Sequence, residues 1–173
     1  MKEVFGWLPE ANQKKLDELI KDYCVDNILE VGSFLGKSAI FFASRVSEVT
    51  CIDNWKTENW KTTHADALSH GEDFYDEFLA NILESDVFDR IAVRRGLTEE
   101  VYKSLEGVYD LVYIDANHDY DSVKRDIENY ERFATKIICG DDYSERWNGV
   151  IKAVNERYGD KVKVTNNLWY VIL

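Results

Sequence analysis

Five acidic residues of this sequence fall at or near the ends of expected strands, and they form two groups. Asp115, Asp141 and Asp142 make the first. Asp115 closes the apolar run Asp110-Leu111-Val112-Tyr113-Ile114, while Asp141 and Asp142 follow Lys136-Ile137-Ile138-Cys139-Gly140. If those two strands are neighbours, ~4.8 Å apart, the three carboxylates converge. Clustered acids resist ionisation unless something cationic sits between them. An oxygen-only set is the ligand set of a hard divalent cation such as Mg²⁺ or Ca²⁺. The plainer reading is that one aspartate caps a helix and another faces water.

Glu30 and Asp53 make the second group. Asn27 to Val31 reads as a short buried strand, followed by a glycine-bearing turn and a helix to about Arg45. Gly32 and Gly36 let the backbone turn tightly and approach a ligand, and the helix start offers free N–H groups and a positive dipole end. Asp53 closes the strand Val49–Asp53 and lies 21 residues beyond Gly32, where a carboxylate can hold ribose hydroxyls. A phosphate loop needs four residues between its glycine and Gly-Lys-Ser, and only three separate Gly32 from Gly36. A dinucleotide fingerprint needs three glycines, and two are present in the wrong register. What remains is E-x-G-x-x-x-G-x-S, spanning Glu30 to Ser38.

The elements that must position these groups follow from periodicity. Leu16, Leu19, Ile20 and Tyr23 mark an amphipathic helix from about Glu10 to Tyr23 behind Pro9. Ile91–Arg94 is a third strand, with Gly96-Leu97-Thr98 and a short helix after it. Helices are expected over Glu72–Leu83, from the Asp119–Asp121 turn to Phe133, and over Gly149–Tyr158. Asn166-Asn167 reads as a two-residue hairpin turn between Val162–Thr165 and Leu168–Leu173. The whole describes an α/β, Rossmann-like doubly wound sheet of seven strands, parallel except for the terminal hairpin. Residues 1–173 are expected to form one domain, with 1–25 an N-terminal helical segment and 54–81 a lid insertion carrying Trp55, Trp60, His64 and His70.

Composition narrows the partners. A net charge of −12 leaves no basic stripe for nucleic acid. Cys24, Cys51 and Cys139 are odd in number and far apart, and are read as small core residues. No apolar run spans a membrane and the first residues do not read as a signal peptide, so a cytoplasmic setting is expected.

Taken in order, Ile28–Ser38, Cys51-Ile52-Asp53-Asn54-Trp55, Phe74–Ile82, Tyr113–Tyr120 and Gly140–Tyr143 with Trp147–Val150 resemble the class I S-adenosylmethionine (SAM) dependent methyltransferases. The nearest likeness is to the small metal-dependent O-methyltransferases related to the macrocin and catechol enzymes and to the cephalosporin-hydroxylase-like group. The resemblance implies that Glu30, Gly32, Ser33, Gly36 and Ser38 surround the methionine end of SAM, that Asp53 holds its ribose, and that Trp55 is among the cofactor-binding residues. It places Gly96 and Leu97 by the adenine, Asp115 beside the donor, and a metal such as Mg²⁺ on Asp115, Asp141 and Asp142. The implied reaction is O-methylation of a small-molecule or sugar hydroxyl. Two departures stand out. Where relatives carry Asp-Gly-Asp this chain has Asp115-Ala116-Asn117, which moves the candidate base to His118, with an ordinary pKa near 6.5. The Pro-Gly-Gly turn before the fifth strand is replaced by Phe133-Ala134-Thr135-Lys136. Rival readings are a NAD-dependent oxidoreductase, a phosphotransferase, and a SAM-fold binding module that has lost catalysis at Asn117. Phe5, Trp7, Trp55 and Trp60 could serve a lid or a homodimer equally well.

Overall fold

A computed structural model describes residues 4–57 and 69–173; Trp60 and His64 lie outside the described residues. Seven strands form one sheet in the order β3-β2-β1-β4-β5-β7-β6. They are β1 (Asn27–Val31), β2 (Glu48–Asp53), β3 (Ile91–Arg95), β4 (Tyr109–Ile114), β5 (Ala134–Gly140), β6 (Lys163–Thr165) and β7 (Leu168–Ile172). β1 to β5 run parallel, and β7 pairs antiparallel with both β5 and β6. Asn166, at φ 54°, supplies the left-handed residue of the hairpin turn.

The order of the strands reverses at β1, so the crevice of an open α/β sheet opens at the carboxyl ends of β1 and β4. Period-two alternation assigns the side chains of β1. Ile28 joins the core on the face covered by α1 (Glu10–Asp22), α2 (Lys37–Ala43) and α3 (Tyr75–Leu83). Leu29 and Val31 join the opposite core, under α5 (Tyr120–Tyr130) and α6 (Asn148–Tyr158), with the four-residue α4 (Thr98–Val101) at its edge. Glu30 therefore points into the first core, fully buried.

Two local expectations change. Residues 72–74 are not helical: Lys56 and Asp73 form an antiparallel bridge, and Phe74 N–H donates to Trp55 O at 3.1 Å. The chain thus returns along residues 55–57 before α3 begins. Cys24 is exposed in the turn after α1, at φ 48°, while Cys51 and Cys139 are buried as expected. Among the described residues, no helix is long and apolar enough to cross a membrane.

The β1–α2 turn is welded to the β4 tip. Asp115 N–H donates to Val31 O at 2.8 Å, and Gly32 N–H to Ile52 O at 2.8 Å. Gly32 has φ 94°, and a Cβ there would lie 2.3 Å from Asp115 O. Backbone strain and a backbone clash both forbid a side chain. Gly32→Ala is expected to lose at least ~3 kcal/mol of stability, read as a fall in the urea midpoint, or not to accumulate folded.

Candidate active site

Three groups of side chains meet at the carboxyl ends of β1, β2, β4 and β5. The first is the glycine turn and its acids. Glu30 accepts from Ser33 Oγ at 2.6 Å and from Cys51 Sγ at 3.3 Å, and the nearby Ser38 hydroxyl favours its charged form. Burial pushes its carboxyl up to about 7 against those donors. One of its oxygens, Oε1, is buried without a hydrogen-bond partner among the described residues. Asp53 is half-buried, and its Oδ2 accepts from the N–H groups of Ser33 (3.0 Å) and Phe34 (2.9 Å). Its Oδ1 accepts from Trp55 N–H at 2.8 Å. Burial raises the Asp53 pKa, with those backbone donors opposing.

This arrangement bears on the rival cofactors. The N–H groups that a phosphate loop turns towards its anion are here bound by a protein carboxylate. Lys37 spends its ammonium on Gly6 O at 3.0 Å. The turn is therefore built as a cradle without an anion site. Trp55, expected among the cofactor-binding residues, is fully buried: its indole N–H donates to Phe34 O at 2.7 Å and its ring packs on Phe78. It holds the turn from beneath and does not line the crevice. Phe34, at φ 45°, is pinned at both N–H and C=O, so its ring is presented to Trp7, stacked at 5.4 Å, and to Phe5 and His70. Gly36, at φ 91°, caps α2, and Gly96 N–H donates to Asp53 O at 2.9 Å, which sets Gly96 and Leu97 beside the β2 tip.

The second group is Asp115, His118 and Asp142. His118 Nε2 lies 2.9 Å from Asp142 Oδ2 and 3.6 Å from Asp115 Oδ1. One ligand atom from each of the three falls within 4.8 Å of the others. Asp142 reaches His118 because its backbone is left-handed, at φ 61°. Burial alone would lower the His118 pKa, but the two carboxylates outweigh it and hold the imidazolium up to about 10. Burial drives Asp115 well above the usual carboxylate range, with His118 pulling it back. Trp147 packs on His118 at 4.7 Å, and Asn117 is half-buried in the same turn.

The third group is centred on Asp141, expected with Asp115 and Asp142 among the metal ligands; it lies near Asp115, but its oxygens are engaged by other partners. Its oxygens both accept from Asn12 Nδ2 at 3.1 Å, and Oδ1 also accepts from Asp142 N–H at 2.7 Å. Burial pushes it up to about 6. His118 takes its place, so the gathered donors are two carboxylates and one imidazole. Asn12 was missed by sequence reasoning, although a signal existed: it lies four residues before Leu16 on the buried stripe of α1, where an amide needs a partner. Asp126, buried on α5 with Thr98 Oγ1 at 2.7 Å, was missed in the same way.

Comparison with known proteins adds a family and a fold. The model of a methyltransferase-domain family matches residues 29–143. Among solved structures, an O-methyltransferase from Bacillus cereus in complex with SAH is 20% identical, with a TM-score of 0.67, over 96% of this chain and 83% of that one. The O-methyltransferase TomG from Streptomyces achromogenes, involved in tomaymycin synthesis and solved with SAM, is 15% identical with a TM-score of 0.69, over 96% and 81%. No curated protein matches the chain.

Glu30 gives a sign-defined test. Its folded pKa of about 7 lies above the ordinary 4.5, so the folded state keeps a proton that the unfolded chain releases. Stability is full below about pH 4.5, falls as pH rises, and levels off above about pH 7. The loss is about 3 kcal/mol for a shift of this size. Urea unfolding of the ligand-free protein across that window should show this fall relative to Glu30→Gln, which lacks the titrating group.

Proposed function

This chain belongs to the methyltransferase-domain family, and on that footing we propose that it is a SAM-dependent O-methyltransferase acting on a small-molecule or sugar hydroxyl. One observation carries the reading. A glycine turn built around Glu30 and Asp53, with no anion cradle, joins through the Gly32–Asp115 contact to a proton-handling cluster at the next strand tip. The two solved relatives described above, bearing SAH and SAM, support the donor.

In this reading Gly32 to Ser38 wrap the methionine end of the donor, and Glu30 sits beneath it. Asp53 keeps one acceptor direction for a ribose hydroxyl, and Gly96 and Leu97 flank the base. The oxygen–methyl bond forms as the sulfur–methyl bond breaks, and the sulfonium leaves as a neutral thioether. The hydroxyl proton passes to the Asp115–His118–Asp142 cluster. Asp115, its basicity raised by burial, is the acceptor of that proton, and His118 orients it. Asn117, an amide, takes no part in proton transfer. Alignment of the reactants supplies much of the rate.

The same three side chains fit a divalent cation. Two carboxylate oxygens and an imidazole nitrogen form a mixed donor set that suits Mn²⁺ or Zn²⁺ at least as well as Mg²⁺. Such an ion would supply Lewis-acid activation of the hydroxyl. Residues 1–173 act as one catalytic domain, with 1–25 and 54–81 shaping the acceptor side. The acidic surface disfavours nucleic acid as acceptor.

Calorimetric titration with S-adenosylhomocysteine tests the donor, with NADH and ATP as controls. Micromolar affinity for S-adenosylhomocysteine alone is expected, and heat only from NADH or ATP would overturn the assignment. Turnover of SAM with a panel of catechols and sugars separates an enzyme from a binding module. Mn²⁺ must displace the His118 proton, so its affinity should rise by about tenfold per pH unit between about pH 6 and 8. Asp142→Asn should weaken Mn²⁺ by more than about tenfold while S-adenosylhomocysteine affinity stays within about twofold.

A further inference from the structure

Asp141 and Asp142 are adjacent and chemically identical, yet only one of them meets His118. We infer that Asn12 is a positioning residue: by holding Asp141 it dictates that Asp142 is the carboxylate presented to His118. Its consequence for cation binding rests on the proposed function.

Asn12 is fully buried on the inner stripe of α1. Its Nδ2 reaches both oxygens of Asp141 at 3.1 Å and Asn167 Oδ1 at 3.0 Å. One amide group thereby ties α1 to the β5 tip and to the turn between β6 and β7. The amide cannot be turned over, because its carbonyl would then face the Asp141 carboxylate. In the orientation it adopts, Asn12 Oδ1 is buried without a hydrogen-bond partner among the described residues. A buried amide carbonyl left in this state is unfavourable. Core packing alone would place a leucine at this point of the stripe, so the amide is retained for what it holds.

What it holds is the geometry of the next residue. With Asp141 anchored, its Oδ1 receives Asp142 N–H at 2.7 Å. Tyr143 N–H donates to Asn167 O, and Ser144 N–H to Asp142 O, each at 2.8 Å. Between these fixed points Asp142 adopts φ 61°, a left-handed conformation that aspartate tolerates better than most residues and that the three hydrogen bonds hold in place. That backbone turn carries the Asp142 carboxylate to within 2.9 Å of His118 Nε2. Remove the Asn12 donor, and Asp141 is a buried acid with one backbone partner, free to rotate towards the cation-binding side and to relax the turn after it. α1 thus acts on the site through Asp141 without touching the reacting groups.

The test uses Asn12→Leu, which keeps the branched outline of the side chain and removes the donor, alone and combined with Asp141→Ala. Mn²⁺ affinity is measured by electron paramagnetic resonance, and S-adenosylhomocysteine affinity by calorimetry. Asn12→Leu is expected to weaken Mn²⁺ by about tenfold or more, with S-adenosylhomocysteine unchanged within about twofold. In the Asp141→Ala background the same substitution should add less than about twofold, because its action passes through Asp141. Unchanged Mn²⁺ affinity in Asn12→Leu, or an undiminished effect without Asp141, overturns the inference. Should Asn12→Leu fail to fold, Asn12→Ala removes the donor without adding bulk and should give the same loss. If the wild-type protein takes no Mn²⁺, the cation reading fails by itself. The crystal structure of the Asn12 variant then decides: an Asp142 still left-handed and still on His118 overturns the inference, and a displaced one supports it.

Discussion

The contact on which this molecule depends is backbone against backbone. Gly32 lies so close to the carbonyl of Asp115 that no side chain fits between them. That approach joins the carboxyl ends of β1 and β4 at the point where the strand order reverses, and it brings two chemically different groups together. On one side is the turn that carries Glu30 and is capped by Asp53. On the other is the loop from Asp115 to His118. A wider spacing would separate the glycine turn from the Asp115–His118–Asp142 cluster at the same end of the sheet.

Charge is managed around that contact by burial and pairing. The chain carries a formal charge of −12, and several acids lie in its interior or at strand tips. Each is provided for differently. Glu30 is held by the Ser33 hydroxyl and the Cys51 thiol, and burial raises it to about 7. Asp53 is bound by three backbone N–H groups. Asp115 and Asp142 share an imidazolium. Asp141 receives an amide from a helix far away in sequence. A buried carboxylate without such a partner would either protonate or destabilise the fold. The partners therefore decide how each acid is held, and the same residue type caps a turn at one strand tip, is anchored by an amide at another and pairs with an imidazole between them.

Sequence reading went furthest where a pattern is local. The strand Asn27–Val31, the glycine spacing from Gly32 to Gly36, the carboxylate at the end of β2 and the hairpin at Asn166 all follow from periods and turn chemistry along a short stretch. The family-like order of the motifs was legible too, and the fold agrees with it. Three placements lay beyond a local reading, and for one cause. Trp55 stands beside Asp53 in sequence, yet its left-handed backbone sends the ring into the core. Asp141 and Asp142 could not be told apart, because which one faces the site depends on Asn12, 129 residues earlier. Residues 72–74 carry a helical pattern but pair with 55–57.

The sequence by itself determined the elements, their faces and the inventory of acids and glycines, since alternation, helical spacing and steric freedom are properties of neighbouring residues. Only the tertiary structure decided how that inventory is divided. It paired His118 with Asp115 and Asp142, gave Asp141 to Asn12, and turned the N–H groups of Ser33 and Phe34 onto Asp53. The reason is physical. A carboxylate's role depends on its burial and on the donor that reaches it, and here several of those donors come from elements distant in the chain that only the folded sheet brings to one end.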